Sequence, residues 1–168
     1  MSRQRATTGR PIAAAAATAV TLRAAVEMDC RDAWRWRNDP ETRRASFDSA
    51  PIPFDTHERW FAESLARADR KLYIVMAADR PVGVARLDLD GGTATVSLHI
   101  APEWRGRKIG PAALRALADV AFGRLGLDRL EASIKRDNAR SLAAFGQAGF
   151  VRTREGAMVK LQRLRHAR

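Results

Sequence analysis

From Val20 onward, apolar residues recur with two different periods, and turn residues separate the stretches that carry them. Val96, Leu98 and Ile100 alternate with Thr95, Ser97 and His99, while Leu130, Ala132 and Ile134 alternate with Arg129, Glu131, Ser133 and Lys135. Successive strand side chains point to opposite faces, so both stretches predict strands with one packed face and one face that can meet a ligand. Apolar runs over 72–77 and 82–89 complete a β-rich middle. Asp79-Arg80-Pro81 and Asp90-Gly91-Gly92 join them as hairpin connections. Residues 20–24 predict a first strand and 158–161 a last one.

Helical spacing fills the intervals. Glu27 to Trp36 predicts a helix that ends before Asn38-Asp39-Pro40, because the residue preceding a proline is pushed out of helical geometry. A loop kept extended by Pro51 and Pro53 follows. Asp55 or Thr56 can then cap a helix carrying Trp60, Phe61 and Leu65. Leu114, Leu117 and Ala121 form the core stripe of a helix from about Pro111 to Arg124, with Pro111 suited to the first helical position and Gly126 to its end. A short helix capped by Asn138 closes at Gly149-Phe150. This mixed order predicts an α/β (α+β) fold, with one domain over 19–165. Residues 1–18 are expected to form a disordered, basic and alanine-rich tail. Ile12 to Ala17 superficially copies a signal peptide, but alanine is weakly apolar and a strand follows almost at once.

Composition narrows the class. The chain has 168 residues, 46% of them hydrophobic, which is enough for a buried core. A single cysteine, Cys30, excludes an internal disulfide or a thiolate-rich zinc site, and no metal is expected. No run approaches the length of a membrane span. The net charge of +11 invites a nucleic-acid reading, but Arg3, Arg5 and Arg10 supply +3 of it, and Lys160, Arg163, Arg165 and Arg168 supply +4. The centre is therefore only mildly basic. It favours a small ligand with several phosphates over a duplex, and no nucleic-acid or membrane partner is expected.

The chemistry concentrates between Thr93 and Arg124. A strand, the basic turn Arg105-Gly106-Arg107-Lys108-Ile109-Gly110 and a helix stand in succession there. The start of a helix has unpaired N–H groups and partial positive charge, and a glycine-containing turn lets the backbone approach an anion. Arg105, Arg107 and Lys108 add full charges suited to a pyrophosphate. A solvated basic turn is the plainer alternative.

The segment from Ile100 to Gly110, followed by Asn138-Ala139-Arg140-Ser141, Phe145 and Gly149-Phe150, resembles the GNAT acetyltransferases over about residues 20–155. The resemblance implies a mixed, mostly antiparallel sheet flanked by about four helices, with acetyl-coenzyme A as co-substrate and a cytoplasmic location. It also implies that His99, Ile100 and Ala101 form an open strand edge for the pantetheine. The turn from Arg105 to Pro111 would hold the pyrophosphate. Asn138, Ser141 and Phe145 would touch the cofactor as well. Two positions depart from the pattern: Lys108 replaces the usual middle glycine, and Phe145 stands where many members carry a proton-donating tyrosine. A thiolate with a parent pKa of about 8.5 can leave without an acid, with Ser141 as a substitute donor. His99 is the candidate base for the attacking amine.

For the acceptor, Trp36-Arg37-Asn38 and His57-x-x-Trp60-Phe61 resemble the sugar-nucleotide N-acetyltransferases of bacterial pseudaminic-acid-type biosynthesis. That implies an amino sugar nucleotide bound by Trp36, Asn38, Arg44, Ser46 and His57. The alternatives are a protein N-terminal or aminoglycoside-type acetyltransferase, or a coenzyme A-sensing module without turnover. A monomer or homodimer acting on a small-molecule amine is expected.

Overall fold

The structure, a computed structural model, describes residues 19–166. The expected tail over 1–18 lies outside these residues. The apolar alternation becomes a seven-stranded sheet in the order β1 (Val20–Ala24), β2 (Arg70–Ala77), β3 (Arg80–Asp90), β4 (Thr93–Ile100), β5 (Arg129–Lys135), β7 (Met158–Leu164), β6 (Val151–Arg154). Every neighbouring pair is antiparallel except β4 with β5. The mixed, mostly antiparallel sheet that the family resemblance implied is therefore present.

Two layers cover it. Val75, Leu87, Val96 and Leu130 send side chains to one face, where Leu114 and Leu117 of α4 (Ile109–Asp119) meet them. The other face packs Leu72, Ile74 and Val84 against α1 (Cys30–Asn38) and α3 (Phe54–Ala66) through Ala33 and Phe61. Removing such side chains from water is the main stabilising contribution. Five α-helices are present among the described residues, counting α2 (Pro40–Ala45) and α5 (Ala139–Gln147).

The helix count exceeds the expected four because Asn38-Asp39-Pro40 both ends one helix and starts another. Asp39 accepts a hydrogen bond from the Thr42 N–H at 3.0 Å, and Pro40 takes the first turn, where its missing N–H costs nothing. Three further expectations are corrected. Helix α3 begins at Phe54 after Pro53, with no side-chain cap from Asp55 or Thr56. Helix α4 begins at Ile109, so Pro111 is its third residue, and its last turn widens to a π turn over Val120–Arg124. The basic C-terminal stretch, counted apart from the centre in the charge balance, is part of the sheet: Lys160 and Arg163 belong to β7, which lies between β5 and β6.

Candidate active site

Strands β4 and β5 pair only at Thr93, Ala94 and Thr95, opposite Arg129, Leu130 and Glu131. Beyond that point they diverge. Ala101 donates its N–H to the Val82 carbonyl of β3 at 2.8 Å. Because adjacent N–H groups along a strand point to opposite edges, the Ile100 N–H faces the splay toward β5. Of the three residues expected on the open edge, Ile100 turns its amide to the splay, His99 turns its side chain into the cleft, and Ala101 is corrected to a structural role. Gly83 permits this tight β3–β4 approach, since a Cβ there would stand 2.5 Å from the His99 carbonyl oxygen.

The splay opens at one end onto the start of α4. Gly106 has φ +73° and Lys108 has φ +59°, and together these left-handed residues curl the turn around the first N–H groups of α4. Ile109 and Gly110 carry amides without intrahelical acceptors, whereas Pro111 has none to give. The middle position of the turn thus does require the backbone that glycine prefers, and a lysine occupies it.

The three turn cations divide their work. Arg105 turns away from the helix start: its Nη2 lies 2.7 Å from Asp39 Oδ2 and 2.7 Å from Thr42 Oγ1, and its Nη1 lies 3.0 Å from Glu41 Oε2. This guanidinium is corrected from a phosphate ligand to a clamp between the turn and α2. Burial alone would raise the Asp39 carboxyl, but the Thr42 N–H and the Arg105 guanidinium outweigh it and hold the group below its usual range. Arg107 lies 4.9 Å over the Trp104 ring. Lys108 remains exposed at the cleft.

Opposite the turn, Asn138 accepts from the Ser141 N–H at 3.1 Å and so caps α5. Ser141 and Phe145 line the cleft. Phe145 is also core, meeting Phe150 edge-on at 4.9 Å between centroids.

The cleft itself measures about 1100 Å³ and continues onto the sheet face covered by α1 and α3. His99 lines it from β4, with Ser97 on the same face and Arg86 entering from β3 opposite Ser97. Burial first, then the Arg37, Arg86 and Arg105 guanidiniums, push the His99 imidazole down to about 4. It is neutral at physiological pH, able to accept a hydrogen bond but weak as a base.

The acceptor-side expectations fare unevenly. Ser46 lines the cleft. Trp36 and His57 are 7% and 3% exposed and pack within the α1–α3 layer; His57 stacks near Trp60 and Phe61. They are corrected to core residues. Burial and Arg37 push the His57 imidazole down to about 4, and its Nε2 has no partner. Asn38 is a clamp, donating to the Ile52 carbonyl at 2.9 Å and accepting from its N–H at 2.8 Å. Arg44 is exposed, and its carbonyl accepts from Lys135 Nζ at 2.8 Å. The sequence reading missed Arg37, Glu41 and Arg86 as lining residues. For Arg86 the signal was available: it stands between the buried Ala85 and Leu87 and therefore must face the other side of β3.

Among the described residues, no helix is long and apolar enough to cross a membrane, and no group of three or more His, Cys, Asp or Glu side chains could hold a metal ion.

A family model described as an acetyltransferase (GNAT) domain matches residues 19–151. No curated protein matches the chain significantly in sequence. Among solved structures, the chain is similar to the aminoglycoside acetyltransferase AAC(6')-Ib in complex with coenzyme A and kanamycin. That match has a TM-score of 0.77 and 18% identity, covering 88% of this chain and 95% of that one. Spermidine N-acetyltransferase from Vibrio cholerae, in complex with coenzyme A and spermine, gives 0.79 and 19%, covering 86% and 95%. A domain from Methanocaldococcus jannaschii gives 0.77 and 20%, covering 88% and 99%.

Proposed function

Since the chain belongs to the GNAT acetyltransferase family, we propose that it transfers an acetyl group from acetyl-coenzyme A to a primary amine by direct attack in a ternary complex. The observation that carries this reading is the continuity of one cleft from the α4 amides, along the unpaired edge of β4, to the polar face at His99. A pyrophosphate suits the first, an amide-bearing pantetheine the second, and an amine the third.

The residues present fit such a cofactor. The Ile109 and Gly110 amides and the positive end of α4 would hold phosphate oxygens, with the Lys108 side chain beside them. When bound, acetyl-coenzyme A supplies the thioester that the amine attacks, with no acyl-enzyme. The Ile100 N–H faces the splay and would donate to the acetyl carbonyl as negative charge develops there; one such donor commonly contributes about 3 kcal/mol. Ser141 lines the cleft near Phe145 and is the side chain available to protonate the departing sulfur, Phe145 itself having no proton to give. Neutral His99 orients the amine by accepting a hydrogen bond; as the C–N bond forms and the C–S bond breaks, the proton the nitrogen sheds replaces the one Ser141 gives the sulfur, so the products are amide and free thiol, and the amine's own ionisation sets the pH dependence.

The acceptor is a coarser matter. The named neighbours carry kanamycin and spermine, which accords with the aminoglycoside-type alternative more closely than with an amino sugar nucleotide. The burial of Trp36 and His57 also removes two of the five residues meant to hold a sugar nucleotide.

The test is thiol release from acetyl-coenzyme A across a panel of amines, beside calorimetric binding of coenzyme A. Amine-dependent release supports the reading. Binding without release with any amine would make the chain a coenzyme A sensor, and absence of binding would overturn the site assignment.

A further inference from the structure

The acceptor face is asymmetric in its charges. Each acid that lines it is already engaged: Glu41 pairs with Arg105 and Arg140, and Glu131 with Arg129. Asp48 turns its carboxylate to the Ala50 N–H at 2.8 Å. The cations are less fully matched. Asp88 alone serves both Arg70 and Arg86, at 2.6 and 2.8 Å, which leaves that group net positive. Among the described residues, Arg37 has no carboxylate in salt-bridge distance. Its Nη2 donates to the Asp48 carbonyl at 2.9 Å, while its Nη1 is buried without any partner. A buried guanidinium N–H left unpaired is expensive, so Nη1 is a donor that an oxygen entering the cleft would satisfy.

We propose that the acceptor is a small primary amine carrying its own oxyanion, a carboxylate or a phosphate, which Arg37 binds with Arg86 beside it on the α1–α3 face. The inference rests on the acetyl-transfer reading above and names its substrate class. Helix α1 packs on β3 and β4, which brings Arg37 over the same face as Arg86, Ser97 and His99. An oxyanion there would complete the donors of Arg37 and balance the surplus positive charge around Asp88, while the amine reaches His99. Burial first, and then the Arg37, Arg86 and Arg105 guanidiniums, hold the His99 imidazole down, so the same cations face the point where the amine would sit. A polycation such as spermine would meet that field with the wrong sign, so the charges of this site set its acceptor apart from the kanamycin and spermine that the named neighbours carry.

The experiment compares matched acceptors by kcat/KM from thiol release: glucosamine 6-phosphate against glucosamine, β-alanine against β-alaninamide, with spermidine and kanamycin as polycations. The oxyanion member of at least one pair is expected to be favoured about tenfold or more, and which pair responds separates phosphate from carboxylate. Arg37→Met is expected to collapse that ratio, and Arg37→Lys to retain part of it. Should Arg37→Met fail to melt cooperatively, Arg86→Gln supplies the second variant and is expected to lower the same ratio. Preference for the neutral members or the polycations overturns the proposal, as does an equal loss for both members of a pair on substitution. Calorimetry with coenzyme A separates the two levels: no binding defeats the acetyl-transfer reading and this inference with it, whereas binding with transfer confined to spermidine defeats the inference alone.

Discussion

The two halves of the cleft are built by different means. The half proposed for the cofactor is a matter of backbone: the splay of β4 from β5, two left-handed residues, the first amides of α4, and the apolar lock of Phe145 on Phe150. The half proposed for the acceptor depends on side-chain charge: Arg105 reaches back to Asp39 and Glu41, Lys135 to the Arg44 carbonyl, and Arg37 to the Asp48 carbonyl. Backbone recognition uses groups that every residue except proline has, so geometry fixes it. Charge recognition depends on partners far apart in sequence, and it responds to acid and salt.

The sharpest way to break this contrast is to empty the cofactor half of its packing. Phe145→Ala removes a 6% exposed ring that holds α5 against Phe150, and about 3–5 kcal/mol of stability is expected to go with it. Denaturant unfolding measures this, and the loss is expected to be the same at 0.05 and 0.5 M salt. A salt-dependent loss would mean that charge, not packing, holds α5.

Acid is expected to act on the other half. His57 and His99 have folded values near 4 against about 6.5 unfolded, so between these pH values the unfolded chain binds more protons. Stability is therefore complete above about pH 6.5 and falls as pH drops toward 4, by on the order of 2 kcal/mol for the enclosed His57. Asp39, whose folded value is lowered, adds a further loss as pH falls below about 4. Hydrogen exchange at pH 5 and 7.5, corrected for intrinsic rates, is expected to show α1 and α3 losing more protection than α4. Equal loss in both would refute the division. The same shift predicts that the kcat/KM profile has no limb near pH 6.5 belonging to His99, which wild type and His99→Ala would reveal together.

Arg105→Ala is expected to have the next largest effect, about 1–3 kcal/mol, because Asp39 is left partly buried with its cation gone. Its coenzyme A affinity is expected to change less than threefold, since the guanidinium faces α2. A tenfold loss would show that Arg105 swings to the phosphates on binding.

This contrast also explains what the sequence could disclose. Period-two alternation identified β4 and β5 and their faces, because a half-buried strand has no other way to satisfy both sides. The Gly106 turn and α4 were legible for the same reason: local spacing specifies local backbone. Helix α2 was not, since Asp39-Pro40 was read only as a stop, although a capping acid followed by proline is equally a start. Strand β6 was missed because all four of its residues are exposed and leave no alternation to detect. On the acceptor side, Trp36 and His57 looked like ligand contacts, yet which way an aromatic on a helix points depends on what packs against it. Arg105 presents the same difficulty in another form. Its partners lie more than sixty residues away, and nothing near it in the chain indicates that it serves α2 and not the phosphate turn.

The smallest predicted effect falls on the one place where side chain and backbone conflict. Lys108 holds φ +59° and ψ 15° at the entrance to α4, a conformation in which a Cβ meets the neighbouring carbonyl. Relief of that contact by Lys108→Gly offers about 1–2 kcal/mol, and the greater freedom of glycine in the unfolded chain takes back about half. A net gain near 1 kcal/mol raises Tm by roughly 2–4 °C for a chain of this size. The variant also loses a charge beside the proposed phosphate site, so its coenzyme A affinity is expected to fall a few-fold even as stability rises, and the fall is expected to shrink at high salt. Opposite signs in the melt and the titration would show that the turn keeps lysine for its charge at a cost in backbone strain. A lowered Tm would show instead that the left-handed turn is held by contacts of the lysine itself.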